Sequence, residues 1–485
     1  MSKQTHSVTY NVVMNVIVMT SAFIFPLITV PYISRVLLEY GNGLVSFAQN
    51  FTYYFAIIAS MGVASYGVVA CSRVRDDEKE LAKTVLEILT VLAVASLLLS
   101  AVYLVAILVV PRFGDARALY IFMITSIWTT AFSLEWFFQA IEQYDYITIR
   151  ALVVRTIGTI CIFIFVKSPS DYLVYAIITV LTQGVSCIVN LIKMCSLLNL
   201  RAARNLRPLR HVKPMLSYLV MNVSKGMTNK SDILVLGFIG TTQMVGVYQI
   251  ASKIENMVVA AVESVGSVLL PRLTSYKKNE ADSLYTELLA YGVDFALLIG
   301  CFCLGGTILC ADSIVGILGG EMYSGAIEPL IATAPAILFV AGTNVISQVL
   351  LINGDERVFA LTNLVGLFVS VGSAVALIPA IGITGSGLAV TIGQSAVFFL
   401  TLMAARSYLK DAIAQTDCPK IIISGILAFA SGLIVAQLVG SINVIARFLV
   451  IGFAFTIAFL AMLLVLRENL VITLCSRYFK KSANR

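Results

Sequence analysis

Thr84–Val110 reads TVLEILTVLAVASLLLSAVYLVAILVV, 27 residues whose one charge, Glu87, sits three positions from the start. As a helix at ~1.5 Å per residue this run extends about 40 Å, more than the ~30 Å hydrocarbon core of a bilayer. Arg73, Arg75, Lys79 and Lys83 precede it, and Pro111-Arg112 follows. A membrane barrel would instead show ~10-residue alternating strands. Lipid offers the backbone no hydrogen-bond partner, so the run reads as a transmembrane helix.

The rest of the chain follows the same pattern. Of 485 residues, 59% are hydrophobic and 12% charged, against roughly 25% charged in soluble domains. That composition excludes a soluble multidomain protein, a disordered chain, a collagen and a disulfide scaffold. The apolar segments predict an all-α polytopic membrane protein with fourteen spans: 11–31, 43–70, 84–110, 117–140, 149–166, 172–195, 214–239, 244–270, 284–310, 326–351, 359–379, 382–405, 421–440 and 444–466. With both termini cytoplasmic, inward segments hold 24 of the 33 Lys and Arg. Counting bases at span ends with the flanking segments, outward segments hold five, Arg35, Arg112, Arg117, Lys167 and Arg447, and four lie deeper within spans. This asymmetry sets the orientation and supplies most of the net charge of +7. The charge does not point to nucleic acid: the basic 201–213 stretch lacks interleaved aromatics and borders the anionic leaflet.

The expected organisation is an N-terminal lobe (1–200), a basic cytoplasmic linker (201–213), a C-terminal lobe (214–410), and a final helix pair with a basic tail (411–485). Two six-helix lobes form a pseudo-repeat, echoed by Gly43-x-x-x-Phe47-Ala48 and Gly246-x-x-x-Ile250-Ala251, each following a short outer loop. Repeated halves in transporters place substrate at their interface. The nine cysteines and two histidines (His6, His211) lack metal or disulfide spacing, so neither is expected. The first span carries Asn11, Asn15, Pro26 and Pro31 and no small-residue cleavage site, so a removed signal peptide is not expected. No outer loop has room for a catalytic domain.

Apart from those at span ends, four bases lie within spans: Arg155, Lys225, Lys230 and Lys253. A charge at mid-bilayer costs at least ~2.5–3.5 kcal/mol and normally faces water or a partner. Arg155 sits near a span end and can snorkel. Lys225 and Lys253 lie near mid-span. In the seventh span Tyr218, Asn222, Lys225, Asn229 and Asp232 share a helical arc. In the eighth, Gln249, Lys253, Asn256, Glu263 and Ser267 do the same, and in the second Asn42, Ser46, Gln49, Tyr53 and Ser60 form an uncharged stripe. Such stripes also serve as interhelical glue, but a lysine is poor glue. Two lysines beside amides predict a hydrated, net positive cavity. Among the acids, Glu87 and Glu135 read as interfacial. Asp232, Glu263 and Asp294 are candidates for carrying a coupling H+ or Na+, since burial raises a carboxyl pKa. The alternative for each is a plain salt bridge, for instance Lys225 with Glu255 or Asp294.

A positive cavity in an apolar shell suits an anionic headgroup on a lipid tail. A diphosphate exchanges its hydration for ammonium and amide groups while the tail stays in the bilayer. No nucleotide motif or nucleophile–base set appears, so no cofactor is expected.

Pro26-Leu-Ile-Thr-Val-Pro31-Tyr-Ile-Ser-Arg35, Tyr66-Gly67 with Arg73-Val-Arg75-Asp76-Asp77, and Glu135-Trp136-Phe-Phe-Gln139-Ala-Ile-Glu142 with Ile149-Arg150 carry a resemblance. Asp232 through Gly237, Val245-Gly246-Val-Tyr248, Leu270-Pro271-Arg272 and Asn353-Gly354 extend it to about residue 405. In order and spacing these resemble the Wzx-type polysaccharide repeat-unit flippases of the multidrug/oligosaccharidyl-lipid/polysaccharide (MOP) superfamily. Val69-Ala70 departs from the Arg-Glu frequent there. The resemblance implies a MATE-like fold, a cationic central cavity and alternating access. It also implies flipping of undecaprenyl-diphosphate-linked oligosaccharide across a bacterial cytoplasmic membrane.

The expected function is therefore a non-enzymatic lipid-linked oligosaccharide flippase for O-antigen, capsule or exopolysaccharide. Lys225 and Lys253, then Lys230 and Arg35, would hold the diphosphate. Asn222, Asn229, Gln249 and Asn256 would meet sugar or phosphate, with Arg155 as a further substrate contact. The expected protein is a monomer, with polysaccharide polymerase and chain-length machinery as partners. Alternatives are a lipid II-type precursor flippase, an ion-coupled multidrug exporter and, from another class, a membrane polymerase or glycosyltransferase. The last would need a long outer loop bearing acids or histidines.

Overall fold

The computed structural model describes residues 8–200, 205–228, 230–279, 281–440, 443–469 and 471–472, without the side chains of 8, 9, 11, 12, 15, 23, 221–228 and 264–271. Among the described residues there is no β-strand. Eleven helical stretches among them are long and apolar enough to cross a membrane, so the chain is an all-α, multi-pass membrane protein. The first, Val16–Ser72, runs through the first two expected spans. The interior lysines lie on the helices at 209–228 and 242–278 and in the break at 230. The helices gather into two compact units, Met1–Gly246 and Val247–Arg485.

The first unit contains α1 (Val8–Ala59), α2 (Val63–Ser72), α3 (Glu78–Val109), α4 (Arg117–Ala131), α5 (Glu135–Ala140), α6 (Tyr144–Phe165), α7 (Tyr172–Leu197), α8 (Leu209–Thr228) and α9 (Ser231–Ile239). Two expectations need correction. The loop expected between the first two spans is a kink inside α1 at Leu38 (φ 57°, ψ −172°). A side chain in the left-handed region costs roughly 1–2 kcal/mol, and packing offsets it. Ile33 and Leu37 are buried against Ile162 and Val166, and the Tyr32 hydroxyl donates to the Val166 carbonyl at 2.6 Å. The second correction is that α8 stops at Thr228 and α9 starts at Ser231, with Lys230 at φ −135° between them. Asp232 therefore does not share a helix with Tyr218, and the seventh-span stripe is split.

The paired glycines of the sequence echo meet within this unit. A Cβ on Gly43 would collide with the Thr242 carbonyl, and one on Gly246 with the Glu39 carbonyl. Only hydrogen side chains permit so close a backbone crossing. Beside it, Arg112 caps the end of α9, donating Nε to the Gly237 carbonyl at 2.9 Å and Nη2 to the Gly240 carbonyl at 3.2 Å. Such a base satisfies carbonyls the helix leaves orphaned. Phe47, Phe51, Phe113, Tyr120 and Phe238 pack around the crossing with ring centroids from 4.7 to 6.5 Å apart.

Toward the start of α3, Glu87 is completely buried yet fully engaged. It accepts from the Arg207 backbone N–H (2.7 Å), from Arg210 Nε (2.7 Å) and from His211 Nε2 (2.8 Å). His211 Nδ1 lies 2.6 Å from the Tyr66 hydroxyl. The neutral Nε2–H tautomer satisfies both contacts, with Tyr66 donating to Nδ1. This cluster ties Arg207 and the first turn of α8 to α2 and α3.

Past α10 (Thr242–Lys278), the second unit holds α11 (Asp282–Leu309), α12 (Ala311–Leu318), α13 (Ile327–Ile352), α14 (Glu356–Ile381), α15 (Ile383–Ile413), α16 (Cys418–Leu438) and α17 (Val444–Val465). Leu289, Ala334, Ile337, Val345, Leu350 and Leu409 belong to its main core. The α16–α17 pair docks on α11 through Phe302, Phe455 and Phe459, ring centroids 5.5 to 6.0 Å apart.

Candidate functional site

Lys253 sits on α10 eleven residues past Thr242, about 16 Å along the axis at ~1.5 Å per residue. Its side chain keeps intermediate solvent accessibility. Among the described residues it makes no ion pair, hydrogen bond or ring contact. An ammonium within a membrane span is expensive unless polar groups solvate it, and none of the described residues supplies that solvation.

The same helix displays amides of two kinds. Gln249 is 8% exposed, and its Oε1 has no hydrogen-bond partner among the described residues. Asn256 folds its Nδ2 back onto the Ser252 carbonyl at 2.6 Å and the Ser252 hydroxyl at 3.2 Å. Its donors are thus spent, and its remaining oxygen is an acceptor, suited to a sugar hydroxyl and not to phosphate. Glu255 is buried. Glu263 accepts at its backbone carbonyl from Asn344 Nδ2 (3.0 Å), which ties α10 to α13.

In the first unit, Lys230 rests over the Tyr53 ring with its nitrogen 4.3 Å from the centroid. Asp232 is 1% exposed in the first turn of α9, where a helix N-terminus favours a carboxylate. Lys225, Asn222 and Asn229 lie outside the described side chains.

Three other expected residues have structural partners. Arg155 donates to the Val18 carbonyl (3.0 Å) and to the Ser21 hydroxyl, pinning α6 to the first turns of α1. Arg35 is exposed and donates to the Pro31 carbonyl one turn back at 2.7 Å. Asp294, 5% exposed, accepts the Asp417 backbone N–H at 3.0 and 3.2 Å and so fastens the start of α16 to α11. Tyr53 and Gln49 were visible in sequence only as an uncharged stripe. What marks them is Lys230, which is distant in sequence.

Known proteins agree with this architecture. Residues 8–277, more than half of the chain, match the polysaccharide biosynthesis protein family (Polysacc_synt). A "Putative O-antigen transporter" of Shigella dysenteriae is 21% identical over 406 residues, 82% of this chain and 99% of that protein. A "Probable flippase AglR" of Haloferax volcanii is 22% identical over 176 residues, 36% of this chain and 37% of that one. In fold, the chain resembles lipid II flippase MurJ in its inward closed conformation, with a TM-score of 0.69 at 15% identity, covering 98% of this chain and 100% of that one. It also resembles an inward-facing MATE-family multidrug transporter of the MOP superfamily, with a TM-score of 0.59 at 13% identity, over 82% and 99% of the two chains. The fold is MATE-like, and the chain belongs to the polysaccharide biosynthesis protein family.

Proposed function

We propose that this protein moves undecaprenyl-diphosphate-linked oligosaccharide repeat units from the cytoplasmic to the outer leaflet of a bacterial cytoplasmic membrane, by alternating access, for surface polysaccharide assembly. The observation that carries this reading is Lys253, an interior ammonium with no partner among the described residues. The O-antigen transporter relatives support a lipid-linked polysaccharide as cargo. In this reading Lys253, Lys225 and Lys230 hold the diphosphate, while Asn222, Asn229 and Gln249 meet sugar or phosphate and Asn256 accepts from a sugar hydroxyl. Arg35 and Arg155 keep the structural contacts described above. A coupling H+ or Na+ would use Asp232 or Glu263. Asp294 is less suited, because its carboxylate already holds the Asp417 N–H. No residue has a catalytic role. Both termini face the cytoplasm, and polymerase and chain-length proteins take the product.

A lipid II-type precursor is the second reading, favoured by the fold likeness to MurJ. The test is genetic and chemical. Lys253→Ala and Lys225→Ala are expected to abolish polymer export with protein still in the membrane, and lipid-linked oligosaccharide to accumulate on the inner leaflet. Full export by the double variant would overturn the assignment. Accumulation of lipid II instead would favour the second reading.

A further inference from the structure

The second-span stripe Asn42, Ser46, Gln49 and Tyr53 advances by four, three and four residues along α1, so these side chains share one face. Lys230 meets that face at Tyr53, 4.3 Å above the ring. Lys230, Tyr53 and Gln49 all keep intermediate accessibility, unlike the buried aromatic packing around Phe47. Neither the Tyr53 hydroxyl nor the Gln49 amide has a hydrogen-bond partner among the described residues.

The kind of contact matters. A carboxylate would neutralise the ammonium and occupy its N–H groups. An aromatic face attracts the cation through its quadrupole, for roughly 0.5–2 kcal/mol, and leaves the N–H groups on the far side open. Asp232, two residues along, brings a negative charge near the ammonium. The ring is thus a seat that fixes a lysine while keeping it available to an anion.

We propose that Tyr53 is a positioning residue that holds the Lys230 ammonium toward a lipid diphosphate, with Gln49 one turn away offering its amide to the attached sugar. This rests on the reading given under Proposed function and adds the stripe of α1 to that site. The interaction is electrostatic in origin, so it depends on the π-electron density of the ring and not merely on its volume.

The test uses purified full-length protein in nanodiscs, titrated with geranylgeranyl diphosphate and, separately, with geranylgeraniol. Wild type binds the diphosphate more tightly than the alcohol. Tyr53→Phe stays within about twofold of wild type, and Tyr53→Leu weakens diphosphate binding by about three- to thirtyfold, the range of a cation–π contact. Mono-, di- and trifluorophenylalanine at position 53 keep the ring shape and weaken binding stepwise, an outcome a merely structural ring does not produce. These variants keep the proposal testable should the leucine variant fail to fold. Fluorinated rings that bind as well as phenylalanine, or a folded Tyr53→Leu that binds as well as wild type, overturn the role of Tyr53 and leave the flippase reading standing. A wild-type protein with no preference for the diphosphate overturns both.

Discussion

Two charges within this protein's spans have opposite surroundings. Glu87 is inaccessible to solvent and receives a backbone N–H, a guanidinium and an imidazole. Lys253 lies inside the second unit and makes no such contact among the described residues. Burying an ion is tolerated when other groups replace its hydration, and costs several kcal/mol when they do not. Glu87 is therefore explained by the fold: it anchors Arg207 and the first turn of α8. Lys253 is not explained by the fold, and that makes it the better candidate for function. Burial alone does not separate structural from functional charge; the state of the partners does.

The contrast is put at most risk by changing Lys253 itself. Lys253→Met is expected to lower export by about tenfold or more, the worth of a charged hydrogen bond. The same change should leave thermal stability equal or raise it, because it removes a charge that has no partner among the described residues. A variant that unfolds would show the lysine to be structural. Glu87→Gln is expected to do the reverse. It removes a charge whose partner Arg210 is 45% exposed, so a stability loss of about 2 kcal/mol follows after allowance for screening. Export per folded molecule stays unchanged, measured by normalising polymer to membrane-extracted monodisperse protein.

The smallest effect concerns pH. Desolvation holds the His211 pKa below its usual value; the Glu87 carboxylate opposes this, and Arg210 adds to the lowering. The unfolded chain then takes up a proton first as pH falls. Stability from this group is complete above about pH 6.5 and declines below it, through the lower folded pKa. His211→Gln should flatten the fall in melting temperature between neutral and mildly acidic pH. An unchanged slope would show that His211 does not carry it.

Much of the architecture was legible in sequence because apolar run length and helical period are local signals. The spans from 144 to 197 and from 282 to 465 appear as helices ending within a few residues of expectation, except where α15 runs on to Ile413. The lysines stood out because charge in an apolar run is rare. The kink at Leu38 was hidden, since nothing in a leucine announces a left-handed φ and the packing of Leu37 enforces it. The break at Lys230 was hidden too, and it invalidated a period carried through Asn229 to Asp232. Long-range partners were the largest gap. Glu87 finds its ligands more than 100 residues on, and Arg155 finds Val18 and Ser21 more than 100 residues back. The glycine echo was visible, but only the crossing shows why both positions exclude a Cβ.

In this account a water-accessible positive charge at position 253 drives transport. In a background without the nine native cysteines, Lys253→Cys should be inactive and should react with small water-soluble thiosulfonates. Aminoethyl thiosulfonate, which restores an ammonium at nearly the original reach, should recover export, while a neutral reagent of equal size should not. A Lys253→Cys variant whose thiol fails to react, or equal recovery with both reagents, would contradict the account.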